Sequence, residues 1–154
     1  MSRIRIAAIL VHQKKILLMG RRKAGKSYFV FPGGGMEEGE TMGQTLMREL
    51  KEETSIDAVV ARQLYCHVYS NGNEAWYFLC AYKSGQPALD PNSNEFASNS
   101  AENHYDPQWV DLEKLPDMPL YPLEIRDWLL QDLKSGLPEL PRTEHVVFEN
   151  MRQV

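Results

Sequence analysis

The sequence contains few cysteines and no long apolar run. Its two cysteines, Cys66 and Cys80, lie in separate apolar runs without a CxxC pair, so we expect buried thiols in a reducing compartment. No apolar run approaches the roughly 18 residues that a membrane-spanning helix needs. The apolar N-terminus is broken by polar residues at 12–15 and lacks a small-residue cleavage site, unlike a signal peptide. We therefore expect a cytoplasmic protein without a membrane partner.

An excess of basic charge is also missing. The formal net charge is −4 and the sequence pI is about 5.6, which argues against non-specific binding to nucleic acid. An anionic small substrate remains compatible with this charge, because a bound divalent cation reverses the local field. We expect a nucleotide-type small-molecule substrate, no nucleic-acid partner, and a monomer or a homodimer.

Strand patterns dominate the first two thirds of the chain. A polar turn at 70–73 between two apolar runs predicts a hairpin, and helical spacing follows Thr41 and covers Leu123–Lys134. A mixed sheet with helices packed on its faces is therefore expected, in a single domain over 1–154. The predicted strands are Arg3–Val11, Ile16–Arg21, Ser27–Phe31, Ala58–Tyr69, Glu74–Lys83 and Gln108–Asp111.

Two segments lack a clear pattern. Ser84–Asp106 is polar and has no period, which predicts a long loop of the kind that is functional or partly disordered. Leu137–Val154 is interrupted by prolines and then contains a short apolar stretch. This tail fits either an additional edge strand or a loose end.

The first helix begins with a capping box. Thr41 and Gln44 have the residue types and spacing in which each side chain binds a backbone N–H group at the helix start. At about 100° per residue, one face collects the apolar residues and is expected to pack on the sheet. These residues are Met42, Leu46, Met47 and Leu50.

Three carboxylates border this apolar face near the end of the helix. Glu49, Glu52 and Glu53 repel one another at spacings of three and four residues. They also lie at the helix end where the dipole favours cations. A divalent cation such as Mg²⁺ would turn both effects into attraction, because it prefers carboxylate oxygens. The alternative is a solvated acidic face, which is less consistent with the neighbouring apolar stripe and glycine loop.

These residues form a larger pattern. Gly34 and Glu40 precede Arg48-Glu49-Leu50-Lys51-Glu52-Glu53 at fixed spacings, and the pattern continues to Ile56. It resembles the Nudix box, over residues 34–56. The resemblance implies an α/β/α Nudix fold. It also implies metal-dependent hydrolysis of a pyrophosphate bond in a nucleoside diphosphate linked to another group X, with Mg²⁺, or Mn²⁺ as a substitute.

The resemblance also implies roles for individual residues. Glu49, Glu52 and Glu53 would bind the metal together with the backbone carbonyl of Gly33. Arg48 would orient these carboxylates, and Glu40 would hold the loop against the helix. The general base would be Glu49 or a glutamate from the long loop. For the latter the candidates are Glu95 and Glu102, of which Glu102 lies closer to the following strand and is preferred.

Substrate contacts are less sharply defined by the sequence. Arg21, Arg22 and Lys26 precede the glycine loop and are candidates for a phosphate contact, together with Gly34 of that loop. As a simple charge run they would instead be solvated. Four aromatic residues are candidates for stacking on a base, although a single aromatic is more often part of a core. They are Tyr28, Phe31, Trp76 and Tyr105, whereas Trp109 is expected in the core.

One position departs from the family pattern. Ser55 replaces the glycine that ends the helix in a left-handed conformation, so we expect strain there and a slightly stabilising Ser55→Gly substitution. A second function class also remains open, a nucleotide-sensing module on the same fold without hydrolysis. Such a module would be expected to lose one or more of the box acids, and this chain retains all of them.

Overall fold

The computed structural model of the chain describes residues 3–139 and 141–146, without the side chain of Val146. The helices are α1 (Met42–Thr54), α2 (Asn94–Ser98) and α3 (Leu123–Ser135), with a 3-10 helix at Leu112–Asp117. The strands are β1 (Ile4–His12), β2 (Lys15–Lys23), β3 (Lys26–Val30), β4 (Gly33–Gly35), β5 (Asp57–Tyr69), β6 (Glu74–Ser84), β7 (Asn103–Asp111), β8 (Leu120–Tyr121) and β9 (Arg142–Val146).

The hairpin of β1 and β2 joins two halves of a mixed sheet. The two strands pair only at the turn, where Val11 lies opposite Ile16 and His12 opposite Lys15. Beyond that point β1 continues between β4 and β6, whereas β2 continues between β3 and β7. Because the two strands separate, the two halves of the sheet diverge, and residues from both halves line one large cavity.

The alternation of side chains along β1 explains the layers of the fold. Successive residues of a strand point to opposite faces of the sheet. Ile6 and Leu10 belong to one buried cluster with Leu50 of α1, whereas Ile9 belongs to a second cluster with Leu129 of α3. A helix therefore covers each face, and the predicted α/β/α sandwich is confirmed.

The segment predicted as one long loop is partly regular. Asn94–Ser98 forms the short helix α2, and β7 begins at Asn103 and not at Gln108. β7 pairs with β2 along its full length, from Lys15 opposite Asp111 to Lys23 opposite Asn103. The prediction was wrong here because backbone pairing with a distant strand holds residues that are polar and have no period of their own.

The C-terminal segment contains an additional edge strand. β9 lies parallel to β5, with Arg142 opposite Tyr65 and Val146 opposite Tyr69. Of the two alternatives for this tail, the edge strand is therefore correct for 142–146. The remainder, 147–154, lies outside the described residues.

Several smaller predictions also have an outcome. Met47 was predicted on the packed face of α1 but is 36% exposed, whereas Thr45 is fully buried. Cys66 and Cys80 are free and buried, as predicted. Among the described residues, no helix is both long enough and apolar enough to cross a membrane.

Candidate active site

Both ends of α1 have the predicted capping. Thr41 accepts a hydrogen bond from the backbone N–H of Gln44 at 3.1 Å, and the Gln44 side chain accepts one from the Thr41 N–H at 2.9 Å. Ser55 has φ 59° and ψ 15°, the left-handed conformation, and its N–H donates to Lys51. Its hydroxyl also donates to the Ala88 carbonyl at 2.7 Å, a contact that local sequence does not indicate.

The glycines of β4 allow α1 to lie close to the sheet. A Cβ atom at Gly33 would overlap the backbone of Ile6 in β1, and one at Gly34 would overlap the carboxylate of Glu49. Neither neighbour is a freely movable chain end, because one is strand backbone and the other is a side chain held by Arg48. The two glycines are thus needed because they let the backbone of β1 and the side chain of Glu49 lie close to β4.

Arg48 organises the acidic side chains around it. Its guanidinium binds both oxygens of Glu40, at 2.7 and 2.9 Å, and donates to Glu49 at 2.8 Å and to the Gly35 carbonyl at 3.1 Å. Its Nη1 also lies 3.5 Å from Glu52. The hydrogen bond from Arg48 lowers the pKa of Glu40 to about 2. This geometry agrees with the orienting role that the family pattern implies for Arg48.

The backbone after β6 follows the end of α1 and brings a further acid to it. Ala88 donates to the Thr54 carbonyl and Asp90 to the Glu52 carbonyl, both at 2.9 Å. These bonds supply donors to carbonyls that have no partner at a helix end. The chain then enters α2, whose N-cap is Ser93, and the second helical residue is Glu95.

Glu49, Glu52 and Glu95 form a compact acidic group. One carboxylate oxygen of each lies within 4.8 Å of one from each of the others. Burial raises the pKa of both Glu49 and Glu52. Glu95 Oε2 is buried and has no hydrogen-bond partner among the residues that the structure describes. Three carboxylates this close together, of which Glu49 and Glu52 share Arg48, match the ligand preference of a hard divalent cation.

Two other predicted acids lie elsewhere. Glu53 is 8% exposed, and its Oε1 accepts the N–H of Gly33 at 2.8 Å. Burial raises the pKa of Glu53 to about 8. It lines the cavity beside the acidic group without belonging to it. Glu102, preferred from sequence position, is exposed in the turn before β7, whereas Glu95 reaches the group.

The backbone N–H of Gly33 donates to Glu53, and metal binding by the Gly33 carbonyl stays a prediction. Its neighbour Gly34 lines the cavity at the carboxylate of Glu49.

Sequence position alone favoured Glu102 because it lies nearer to the following strand. The signal for Glu95 is Ser93, an N-cap residue type placed just before it.

The cavity has a volume of about 610 Å³ and contains three arginines and several tyrosines. Tyr28, Arg21 and Tyr105 lie side by side on three adjacent strands. The Arg21 guanidinium stands 3.6 Å above the centre of the Tyr105 ring and donates to Asn103 at 2.7 Å. These three residues form one surface of the cavity lining, where a planar group can stack on an aromatic ring or a guanidinium.

The other predicted substrate residues have different environments. Arg22 does not line the cavity and its side chain donates to the Ala101 carbonyl. Lys26 is exposed. Phe31 lines the cavity but is 1% exposed and belongs to the core. Trp76 and Trp109 are partly buried and pack against the buried cluster under α1, so Trp109 lies at the border of the core in which it was predicted.

The fold and the box define a class of protein. A mixed sheet between helices carries a glycine strand and an acidic helix, and the sequence profile of the NUDIX domain matches residues 1–130. The chain belongs to the NUDIX domain family.

Individual relatives share part of the sequence. The NAD-capped RNA hydrolase NudC of Vibrio atlanticus is 30% identical over 115 residues, which cover 70% of this chain and 36% of that protein. The dihydroneopterin triphosphate diphosphatase of Escherichia coli is 42% identical over 59 residues, 38% of this chain and 39% of that protein. The chain thus matches well under half the length of both relatives.

Solved structures share the fold. A NUDIX hydrolase from Nitrosomonas europaea superposes with a TM-score of 0.70 at 16% identity and covers 94% of this chain and 79% of its own. The E. coli ORF135 protein superposes with a TM-score of 0.64 at 23% identity, over 88% of this chain and 93% of its own.

Proposed function

We propose that the protein hydrolyses a pyrophosphate bond in a nucleoside diphosphate linked to another group X. Members of the family act on such bonds in nucleoside diphosphate derivatives. The observation that supports the proposal most is the acidic group of Glu49, Glu52 and Glu95, of which Glu49 and Glu95 line a cavity that is also lined by arginines and tyrosines. Such a cavity combines metal ligands with contacts for an anionic, planar substrate.

Glu49, Glu52 and Glu95 would hold the cation, for which we propose Mg²⁺, or Mn²⁺ as a substitute. The fit rests on the unpartnered buried oxygen of Glu95 and on the burial of Glu49, which is 7% exposed. When bound, the metal supplies charge neutralisation on the phosphates and an activated water. Glu53 adjoins this group and is a further ligand in the family pattern.

The remaining chemistry belongs to the side chains of this chain. Arg48 keeps Glu49 in place through a 2.8 Å hydrogen bond. Glu49 or Glu95 accepts the proton of the attacking water, since both carboxylates belong to the acidic group. The surface of Tyr28, Arg21 and Tyr105 holds the planar part of the substrate. The substrate thus lies between two halves of the sheet, with its phosphates at α1.

The relatives act on chemically different molecules. Their names include an NAD-capped RNA hydrolase, a dihydroneopterin triphosphate diphosphatase and, among the structures, a UDP-X diphosphatase. What these names share is a phosphate–phosphate linkage attached to a nucleoside-like group. We therefore propose that the protein cleaves this linkage and that the geometry of the cavity selects the group X.

A substrate panel with matched variants tests the proposal. Phosphate release is measured with Mg²⁺ and Mn²⁺ on nucleoside triphosphates, nucleotide sugars and dinucleoside polyphosphates. Glu95→Gln should lower turnover strongly, whereas Glu102→Gln should leave it within a few-fold, because only Glu95 reaches the acidic group. Saturable nucleotide binding without turnover on any substrate would instead support the nucleotide-sensing module.

A further inference from the structure

Two arginines at the start of β1 line the same cavity as the box acids. Arg5 is the second residue of β1, and Arg3 directly precedes the strand. Both belong to the cavity wall, and Arg5 lies opposite Gly35 in the pairing of β1 with β4. The family pattern, which begins at Gly34, does not include either residue.

Neither arginine has a carboxylate partner within 4.0 Å in the part of the chain that the structure describes. Arg48, by contrast, pairs with several glutamates, and Arg142 pairs with Asp132. The only side-chain hydrogen bond of Arg5 within those residues is a donation to the Phe31 carbonyl at 3.0 Å. This bond holds its guanidinium at the cavity wall without neutralising it.

Two carboxylates of the cavity lining have other hydrogen-bond partners. Glu53, on which the charge of Arg5 acts, accepts the Gly33 N–H at 2.8 Å and lies more than 4.0 Å from both arginines. Glu74 lines the cavity as well, but its carboxylate accepts the indole N–H of Trp76 at 2.8 Å and forms no ion pair with either arginine. The positive charge of Arg3 and Arg5 is therefore available to a ligand. Guanidinium groups bind phosphate oxygens through paired, charge-assisted hydrogen bonds.

Gly35 of β4 lies beside both Arg3 and Arg48. Arg3 Nη2 lies 3.7 Å from the position that a Cβ atom at Gly35 would occupy. On the same residue, the Gly35 carbonyl accepts a hydrogen bond from Arg48 at 3.1 Å. Arg3, Arg5 and Arg48 thus all lie near Gly35. Arg3 and Arg5 line the same cavity as Glu49 and Glu95, so one ligand can present an anion to the arginines and further phosphates to the acidic group.

We propose that Arg3 and Arg5 form an anion subsite for a substrate phosphate beyond those held at the acidic group. The proposal rests on the proposed function and narrows X: the substrate is of the nucleoside triphosphate type, in which X carries its own negative charge. Both arginines are exposed residues of the cavity lining, and a phosphate as X would give them a counter-charge that a neutral sugar would not. A cation held at the acidic group would neutralise only the phosphates that lie there.

The test combines turnover with direct binding. Arg3→Ala, Arg5→Ala and the double variant are compared with Arg62→Ala, which removes an arginine of β5 outside the cavity lining. KM is measured for a nucleoside triphosphate and for a nucleotide sugar. Calorimetry with inorganic tripolyphosphate and Mg²⁺ reports binding without turnover. Arg5→Lys retains the charge, and thermal melting verifies that each variant is folded.

The double variant should raise KM for the triphosphate by about tenfold or more, the effect expected of a lost charged hydrogen bond. KM for the nucleotide sugar should stay within a few-fold, tripolyphosphate affinity should fall in parallel, and Arg5→Lys should recover part of the loss. Equal losses for both substrates, or tripolyphosphate binding that is as tight in the double variant as in the wild type, would overturn the subsite.

Failure of the proposed function has a different signature. It would appear as absence of turnover on every substrate, while the calorimetric comparison of wild type and double variant still decides the subsite. A wild-type kcat/KM that favours nucleotide sugars over triphosphates would also overturn the assignment of X.

Discussion

α1 and α3 are both thirteen residues long, pack on opposite faces of the sheet, and bury acidic side chains in different ways. In α3, Asp132 is 5% exposed, accepts the Tyr65 hydroxyl at 2.6 Å and lies 3.5 Å from Arg142. Each buried oxygen of this carboxylate has its own partner. Such a satisfied group ties β5, α3 and β9 together.

The carboxylates at α1 have fewer hydrogen-bond and ion-pair partners, and several of them share one arginine. Arg48 serves Glu40, Glu49 and Glu52 together, and Glu95 has a buried oxygen with no hydrogen-bond partner among the described residues. Burial raises the pKa of Glu49, which shows that the charged form is held at a disadvantage. The comparison separates a carboxylate placed for stability from carboxylates for which we propose a bound cation.

The largest difference should appear when one carboxylate on each helix is neutralised. Glu52→Gln should lower turnover by several orders of magnitude without unfolding the protein, because it removes a proposed metal ligand. Asp132→Asn should leave turnover within a few-fold but lower the free energy of unfolding by about 1–3 kcal/mol, since the Arg142 contact is weakened. Steady-state kinetics and chemical denaturation measure both. Glu52→Gln activity within tenfold of wild type would contradict the catalytic assignment.

Acid should weaken the α3 face through His67. Burial lowers the pKa of His67 to about 4, and its ring contacts Trp128 of α3 with centroids 5.4 Å apart. The unfolded chain, with a His pKa near 6.5, binds the proton more readily, so stability should fall as pH falls from about 6.5 to 4, by up to about 3 kcal/mol.

The matched variant for this prediction is His67→Phe, which keeps a ring at the position and cannot be protonated. Urea denaturation at several pH values gives the slope of stability for both proteins. The variant should have the shallower slope over this range, whatever its absolute stability. Equal slopes would show that His67 does not titrate differently in the folded and unfolded states.

Metal should stabilise the α1 face specifically. Binding to the folded state at about 100 times Kd adds about 2.7 kcal/mol, so the Tm in millimolar Mg²⁺ should exceed that in EDTA. The shift should be much smaller in Glu49→Gln and retained in Asp132→Asn. A shift of equal size in Glu49→Gln would place the responsible cation outside the acidic group.

The smallest effect concerns Ser55, where α1 ends. Ser55→Ala loses the hydrogen bond to Ala88, about 0.5–1.5 kcal/mol, and keeps the left-handed strain. Ser55→Gly loses the same bond but relieves about 1 kcal/mol of strain, partly offset by a more flexible unfolded chain. The glycine variant should therefore be more stable than the alanine variant, with neither above wild type. A glycine variant clearly above wild type in urea denaturation would restore the simpler expectation from sequence.

The local features of α1 were predictable in detail. The capping box of Thr41 and Gln44, the left-handed end at Ser55 and the clustering of Glu49 with Glu52 all depend on residues a few positions apart. Helical geometry places such residues relative to one another without help from the rest of the chain. The error at Met47 has the same origin, since periodicity gives a stripe but not its exact borders.

Only the tertiary structure decided which loop glutamate reaches the acidic helix, because position in the sequence favoured Glu102. Glu95 reaches the acidic group and Glu102 does not, because backbone bonds from Ala88 and Asp90 tie the preceding segment to the end of α1. Arg3 and Arg5 meet the box only because β1 pairs with β4. The sequence by itself therefore determined the family, the acidic helix and its ends. The partners of that helix depend on contacts across dozens of residues, which no local pattern encodes.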